Sequence, residues 1–147
     1  LFISDIHEPT LSHVATKYGA EVVGLDDIYD LDMDIYAPCA LGATINDRTL
    51  NRLKCSIVAG AANNQLNYPD DIQLLNAKNI IYAPDFVVNA GGIIYVAGEY
   101  FGQTEIDTMN KVDEIYNIML NIFKSAQANS KDTQAQAYAI AKARLGS

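Results

Sequence analysis

CSIVAGAANNQLNYPDDIQLLNAKNIIYA, Cys55–Ala83, holds in order an apolar run, an amide-rich loop, a short helical pattern and a second apolar run. Cys55–Ala59 carries the β-branched pair Ile57 and Val58 and reads as a strand that stops at Gly60 and the loop GAANNQL. Asp70–Ala77 reads as a short helix and Ile80–Ala83 as the next strand. Strands without polar alternation on either side of a helix predict a parallel crossover, since parallel strands are covered by helices on both faces.

The same unit recurs outward from this stretch. Leu1–Ser4 reads as a buried strand, Pro9 suits the first turn of a helix through TLSHVATKYG, and Gly19 suits its stop. Ala20–Val23 is a second apolar run, and Met33–Ala37 is a third strand after the acidic connection GLDDIYDLD. Asn46 is a good N-cap for a short helix through Leu53. Beyond Ala83, Asp85–Tyr100 reads as one mostly apolar helix with Gly91 and Gly92 at its centre. The pattern then changes: Ile106, Met109, Val112, Ile115, Met119, Ile122 and Phe123 recur every three or four residues, which predicts one long amphipathic helix. Thr133–Leu145, rich in Ala and Gln, completes the chain as a helix able to pack on the sheet or on another domain.

Alternating strands and helices predict an α/β fold, a doubly wound parallel sheet over 1–103 with C-terminal helices over 104–147, in a single unit. Half of the 147 residues are hydrophobic and 19% are charged, so a packed core is expected. A net charge of -8 argues against a surface that tracks phosphates, and nucleic acid is not an expected partner. Cys39 and Cys55 form no CxxC pair and are too few for a disulfide framework, which fits a reducing cytoplasm. The longest apolar stretch, Phe86–Gly98, is interrupted by Asn89 and closed by Glu99, so no membrane association is expected. Leu1 opens directly into LFISD, as in a chain that starts inside a fold.

Asp5 ends the first strand. In dinucleotide-binding folds an acid at the second strand's end accepts hydrogen bonds from the adenosine ribose hydroxyls and repels a 2′-phosphate. Ile6, His7 and Glu8 supply no cation to neutralise such a phosphate, which favours NAD over NADP. The alternative is a strand-end acid that caps the next helix. The GxGxxG loop that would precede Asp5 by about twenty residues falls before Leu1, so the expected fold is an incomplete dinucleotide-binding domain with weakened coenzyme affinity. Asn63 and Asn64 follow a strand end, where open parallel sheets bind ligands; the alternative is a turn. Asn89 stands in an apolar run and needs a partner, because an unsatisfied buried amide costs ~1–3 kcal/mol.

Three blocks in this order, DIYAPCALGATIND (Asp34–Asp47), VAGAANNQL (Val58–Leu66) and IYAPDFVVNAGGIIYVAGEYFG (Ile81–Gly102), resemble the leucine, phenylalanine and valine dehydrogenases, the ALGAT form being most similar to leucine dehydrogenase. The resemblance spans nearly the whole chain and is weakest after Thr104. It implies a Rossmann-like, N-terminally truncated coenzyme-binding domain of an enzyme that deaminates L-leucine or a similar branched-chain amino acid to the 2-oxo acid, with NAD taking the hydride. It further implies a homo-oligomer and a separate N-terminal catalytic domain carrying the catalytic lysine and aspartate, so no catalytic residue is expected in this chain. Cys39, Ala40 and Leu41 would line the adenosine side, Cys39 as a packed thiol and not a nucleophile. Asn63 and Asn64 would serve the nicotinamide ribose or the substrate, and Asn89 the nicotinamide carboxamide. Gly91 and Gly92 would admit a close approach of backbone to ligand or to another element. Ile93 and Val96 would form part of the substrate side-chain pocket, or else be plain core.

Two rival readings remain, a glutamate dehydrogenase and a non-catalytic nucleotide-binding module. Ile93 and Val96 are neither polar nor cationic, which does not favour the first. Asp30, Asp32 and Asp34 imitate the start of a calcium loop, but Ile35 and Leu41 replace its Gly and Glu. His7 and His13 share no helix face and have no third ligand, so no metal is expected. Neither GxxxxGK[ST] nor GxSxG occurs.

Overall fold

The computed structural model describes residues 1–146. Its elements alternate as expected: β1 (Phe2–Ile3), α1 (Glu8–Tyr18), β2 (Glu21–Val22), β3 (Ile35–Tyr36), α2 (Asp47–Leu50), β4 (Ile57–Val58), α3 (Asp71–Ala77) and β5 (Ile81–Tyr82). Four helices follow: α4 (Asp85–Val88), α5 (Gly91–Tyr100), α6 (Glu105–Ala128) and α7 (Thr133–Leu145). All strand pairs are parallel, in two sets ordered β1-β2 and β3-β4-β5.

Local chemistry sets the element ends. Pro9 lies in the first turn of α1 and Gly19 closes it in the left-handed region at φ 64°. Asn46 caps α2 by accepting from Arg48 and Thr49 N–H, while the Thr49 hydroxyl accepts from Asn46 N–H at 3.1 Å, a reciprocal capping box. Thr104 and Asp132 cap α6 and α7 more simply, each side-chain oxygen accepting one backbone N–H, from Asp107 and from Ala135.

One expectation is refined and two are corrected. The acidic connection contains a 3₁₀ turn, Asp27–Asp30, held by Arg52, which grips the carboxylates of Asp26 and Asp30. The helix begun by Asn46 ends at Leu50, because the next turn tightens: Arg52 N–H donates to Thr49 O. The single helix over 85–100 is two helices broken at Asn89–Ala90, so Asn89 is the C-cap of α4 and not an interior helical residue.

The register Tyr36↔Val58↔Tyr82 lays one row of side chains into a core with Ile45, Leu50, Leu53, Ile72, Leu75 and Ile80. Two residues along from Ile57 and Ile81, on the opposite face, Ala59 and Ala83 meet Met119, Ile122 and Ala137 of the C-terminal helices. The apolar stripe of α6 is buried only in its second half, since Ile106 and Met109 are exposed. At its start Gly98 of α5 lies against Thr108, with no room for a β-carbon: one placed there would be 2.3 Å from the Thr108 hydroxyl.

Candidate functional site

Parallel pairing puts the C-terminal ends of β3, β4 and β5 on one sheet edge, and the loops leaving β3 and β4 are laced together there. Ala62 N–H donates to Pro38 O, Ala43 N–H to Asn64 O, and Ile45 N–H to Gln65 O. Gly60 makes the approach possible, because a β-carbon there would be 2.1 Å from Pro38 O. Asn64 takes the left-handed conformation at φ 52°, which asparagine tolerates better than most residues.

Two side-chain amides hold the loop leaving β4. Asn89, at the break after α4, donates from Nδ2 to Asn63 Oδ1 at 2.7 Å and to Ala61 O at 3.3 Å. Gln65, fully buried, donates from Nε2 to Gly60 O at 2.7 Å and Ala62 O at 2.9 Å. Its backbone N–H donates to Asp85 Oδ2 at 3.0 Å. With both donors turned to carbonyls, Gln65 Oε1 is left buried without a partner, a cost on the order of 1–3 kcal/mol. Asn89 is half-buried and Asn63 exposed, so the pair faces outward with an acceptor, Asn89 Oδ1, and a donor, Asn63 Nδ2, outside the hydrogen bond they share.

The remaining candidates are dispersed around this pair. Asn64 borders a separate recess of about 360 Å³ with Asn67, Tyr82, Asp85, Gln134 and Tyr138. Leu41 lines a recess of about 310 Å³ with Leu25, Tyr29, Thr44 and Arg48. Arg48 is paired there with Asp26, which offsets its charge. Ala40 and Cys39 are exposed on the loop after Pro38, so the expected packed thiol is corrected: the chain has left the sheet by this point, and the buried thiol is Cys55. Burial pushes the Cys55 thiol above its ordinary range, and likewise the hydroxyls of Tyr36 and Tyr82. Asp5 is exposed at the end of β1, and its Oδ1 accepts from His7 N–H at 2.9 Å, one residue before α1 begins.

Ile93 and Val96 stand exposed on α5, 68% and 59%, which excludes the plain-core alternative for the described chain. Gly91 would bring a β-carbon only to ordinary contact with Val112, and around Gly92 nothing lies within 4 Å. Of the two roles expected of these glycines, the close approach to another element occurs at Gly98 instead. Gln65 and Asp85 are the residues of this site to which no sequence pattern points. A glutamine in an amide-rich loop carries no periodic signal of burial, and an acid after Pro84 looks like an ordinary first-turn helix residue. Leu66 beside Gln65 was the one hint that the loop turns inward.

The family described as glutamate/leucine/phenylalanine/valine dehydrogenase matches residues 3–146. A leucine dehydrogenase of Thermoactinomyces intermedius is 44% identical over 145 residues, 99% of this chain and 40% of that protein. A phenylalanine dehydrogenase of Lysinibacillus sphaericus is 44% identical over 131 residues, 86% of this chain and 34% of that protein. The crystal structure of L-tryptophan dehydrogenase from Nostoc punctiforme superposes with a TM-score of 0.95 at 43% identity, covering 99% of this chain and 44% of that one. The chain thus spans about 40% of the length of the curated relatives it matches.

Proposed function

Because the chain belongs to the glutamate/leucine/phenylalanine/valine dehydrogenase family, we propose that it is the coenzyme-binding part of an NAD-dependent L-amino-acid dehydrogenase. The reaction is the reversible oxidative deamination of leucine or a similar branched-chain amino acid to the 2-oxo acid and ammonia. The observation that carries this reading is the Asn63–Asn89 pair at the sheet's C-terminal edge, the place where open parallel sheets bind ligands. Its outward acceptor and donor match the two ends of a carboxamide.

The residues present fit NAD. Leu25, Tyr29 and Leu41 offer apolar surface for an adenine ring, with the backbone of Gly42 beside them. Asp5 keeps one carboxylate oxygen clear of its bond to His7 for ribose hydroxyls. Arg48 is held by Asp26, so that recess offers no uncommitted guanidinium to a 2′-phosphate. The open space at Gly92 leaves the backbone approachable between Asn89 and Ile93. NAD, when bound, accepts the hydride. The chain's own part is to hold and orient: Asn63 and Asn89 fix the ring face, and Ile93 and Val96 exclude water beside the substrate side chain. Proton transfers fall to a lysine and an aspartate on another domain, and no residue here is assigned to them.

The two strand sets support the domain reading. One more parallel strand paired with both β1 and β3 would give β2-β1-x-β3-β4-β5, the doubly wound order with its crossover at the coenzyme site. Tyr100, Phe101, Ile106 and Tyr116, each more than 70% exposed, give contact surface for the catalytic domain and for further copies in a homo-oligomer. We place this enzyme in the cytoplasm.

The test is NADH formation from NAD by the product of the complete reading frame, with L-leucine, L-valine, L-phenylalanine, L-tryptophan and L-glutamate. The branched aliphatics Ile93 and Val96 lead us to expect the highest kcat/KM on leucine or valine. A preference for an aromatic substrate would keep the dehydrogenase and overturn the branched-chain assignment. No NADH with any amino acid would overturn the dehydrogenase.

A further inference from the structure

We infer that Gln65 is a positioning residue for the Asn63–Asn89 pair, setting the direction in which the pair presents its acceptor and donor. This rests on the reading above that the pair receives the nicotinamide carboxamide.

Gln65 grips both supports of the pair, one through its side chain and the other through its backbone N–H. Its Nε2 takes the carbonyls of Gly60 and Ala62, on either side of Ala61, whose carbonyl Asn89 takes. Its backbone N–H takes the carboxylate of Asp85, the first residue of α4. Asp85 O in turn accepts Asn89 N–H at 3.0 Å. Asn63 is therefore fixed through the loop and Asn89 through α4, with one buried glutamine joining the two.

The amide orientation is forced, because a flipped Gln65 would set its oxygen against two carbonyl oxygens. The orphaned Oε1 is the cost of that orientation. A methionine of similar length would fill the space without an orphaned oxygen, but would release both carbonyls and leave the loop to choose its own geometry.

The experiment compares dissociation constants for NAD and for 3-acetylpyridine adenine dinucleotide by titration calorimetry, using the product of the complete reading frame. The analogue keeps the carbonyl and replaces the NH₂ by a methyl, so it loses only the donor that Asn89 Oδ1 would accept. We expect the protein to prefer NAD, and Q65M to lose about tenfold in NAD affinity, roughly one good hydrogen bond, with a smaller loss for the analogue, which keeps only the carbonyl that would face Asn63 Nδ2. N89A should show the same loss, and Q65M should add nothing in the N89A background. Should Q65M not fold by circular dichroism, D85N, which weakens the other grip while keeping the shape, is expected to erode the same preference.

Equal losses for the two dinucleotides, or losses that add to those of N89A, would make Gln65 a structural residue only and overturn the inference alone. A wild-type protein that binds both dinucleotides equally, or neither, would overturn the carboxamide reading and the inference with it.

Discussion

Asn89 Nδ2 and Asn63 Oδ1 meet at 2.7 Å across 26 residues of sequence, joining the break after α4 to the loop after β4. The bond commits one end of each amide and leaves the other end of each outside it, where the proposed ligand would bind. Replacing Asn89 by Ala removes the acceptor and frees Asn63 to rotate. We expect kcat/KM for amino-acid oxidation by the complete enzyme to fall about tenfold to a hundredfold, the worth of one or two hydrogen bonds left unmade in a partly buried site. The double variant N63A/N89A should be little worse than N89A, as initial rates will show. Additive losses would mean that the two amides act separately.

Asp5 allows structural and functional roles to be separated at one residue. Its bond to His7 N–H needs only an oxygen acceptor, which asparagine supplies, whereas repulsion of a 2′-phosphate needs the charge. D5N should therefore leave the thermal midpoint unchanged and reduce the NAD-to-NADP affinity ratio by about tenfold, on the order of one close charge contact. Unchanged selectivity would return Asp5 to a purely structural role in the turn.

These two residues also mark how far the sequence could be read. The parallel α/β order was legible because strands such as Ile57–Val58 are apolar throughout and each helix brings its own start or stop signal, as at Gly19 and Asn46. The break at Asn89 was not, since an amide followed by two glycines inside an apolar run is compatible with one helix or two, and tertiary hydrogen bonds to Ala61 and Asn63 decide it. Gln65 was invisible for a related reason. Its burial follows from carbonyls that only the lacing of two loops brings together.

Glycines at two positions of α5 should answer alanine in opposite ways. At Gly92 a methyl meets nothing within 4 Å, so G92A is expected to raise stability, by up to about 1 kcal/mol of helix propensity, and to weaken NAD binding by occupying the open approach. At Gly98 the methyl would lie 2.3 Å from Thr108 Oγ1 and 3.1 Å from its Cβ, so G98A should destabilise by about 1–3 kcal/mol. Urea denaturation reads both, and T108A should recover part of the G98A loss and none of any effect at Gly92. A destabilised G92A would show that the space is filled in solution.

The two thiols should behave as an exposed and a buried pair. Cys39 is expected to react fully with a disulfide reagent in the native protein, and Cys55 only after unfolding. Burial raises the Cys55 pKa, so its contribution to stability is complete below the unfolded value and declines as pH rises through and above it. NAD should slow the labelling of Cys39 if the loop after β3 borders the adenosine. Fast native labelling of a C39S variant would contradict the burial of Cys55.

Acid should release the 3₁₀ turn before it reaches the core. The Arg52 guanidinium, donating to both carboxylate oxygens of Asp30, holds that carboxyl below its ordinary value of 3.8. A depressed folded pKa means that the contribution is present above 3.8 and is lost as pH falls through the lower folded value. Asp30→Asn should thus be less stable than the parent at neutral pH, with the difference shrinking as the pH drops below the ordinary carboxylate range. Both carboxylates are solvent-exposed, so the gap should also narrow in high salt. Urea midpoints of the two proteins, compared at neutral and acid pH, measure it directly. A gap that stays constant down to the acid limit would mean that Asp30 holds the turn by shape and not by charge.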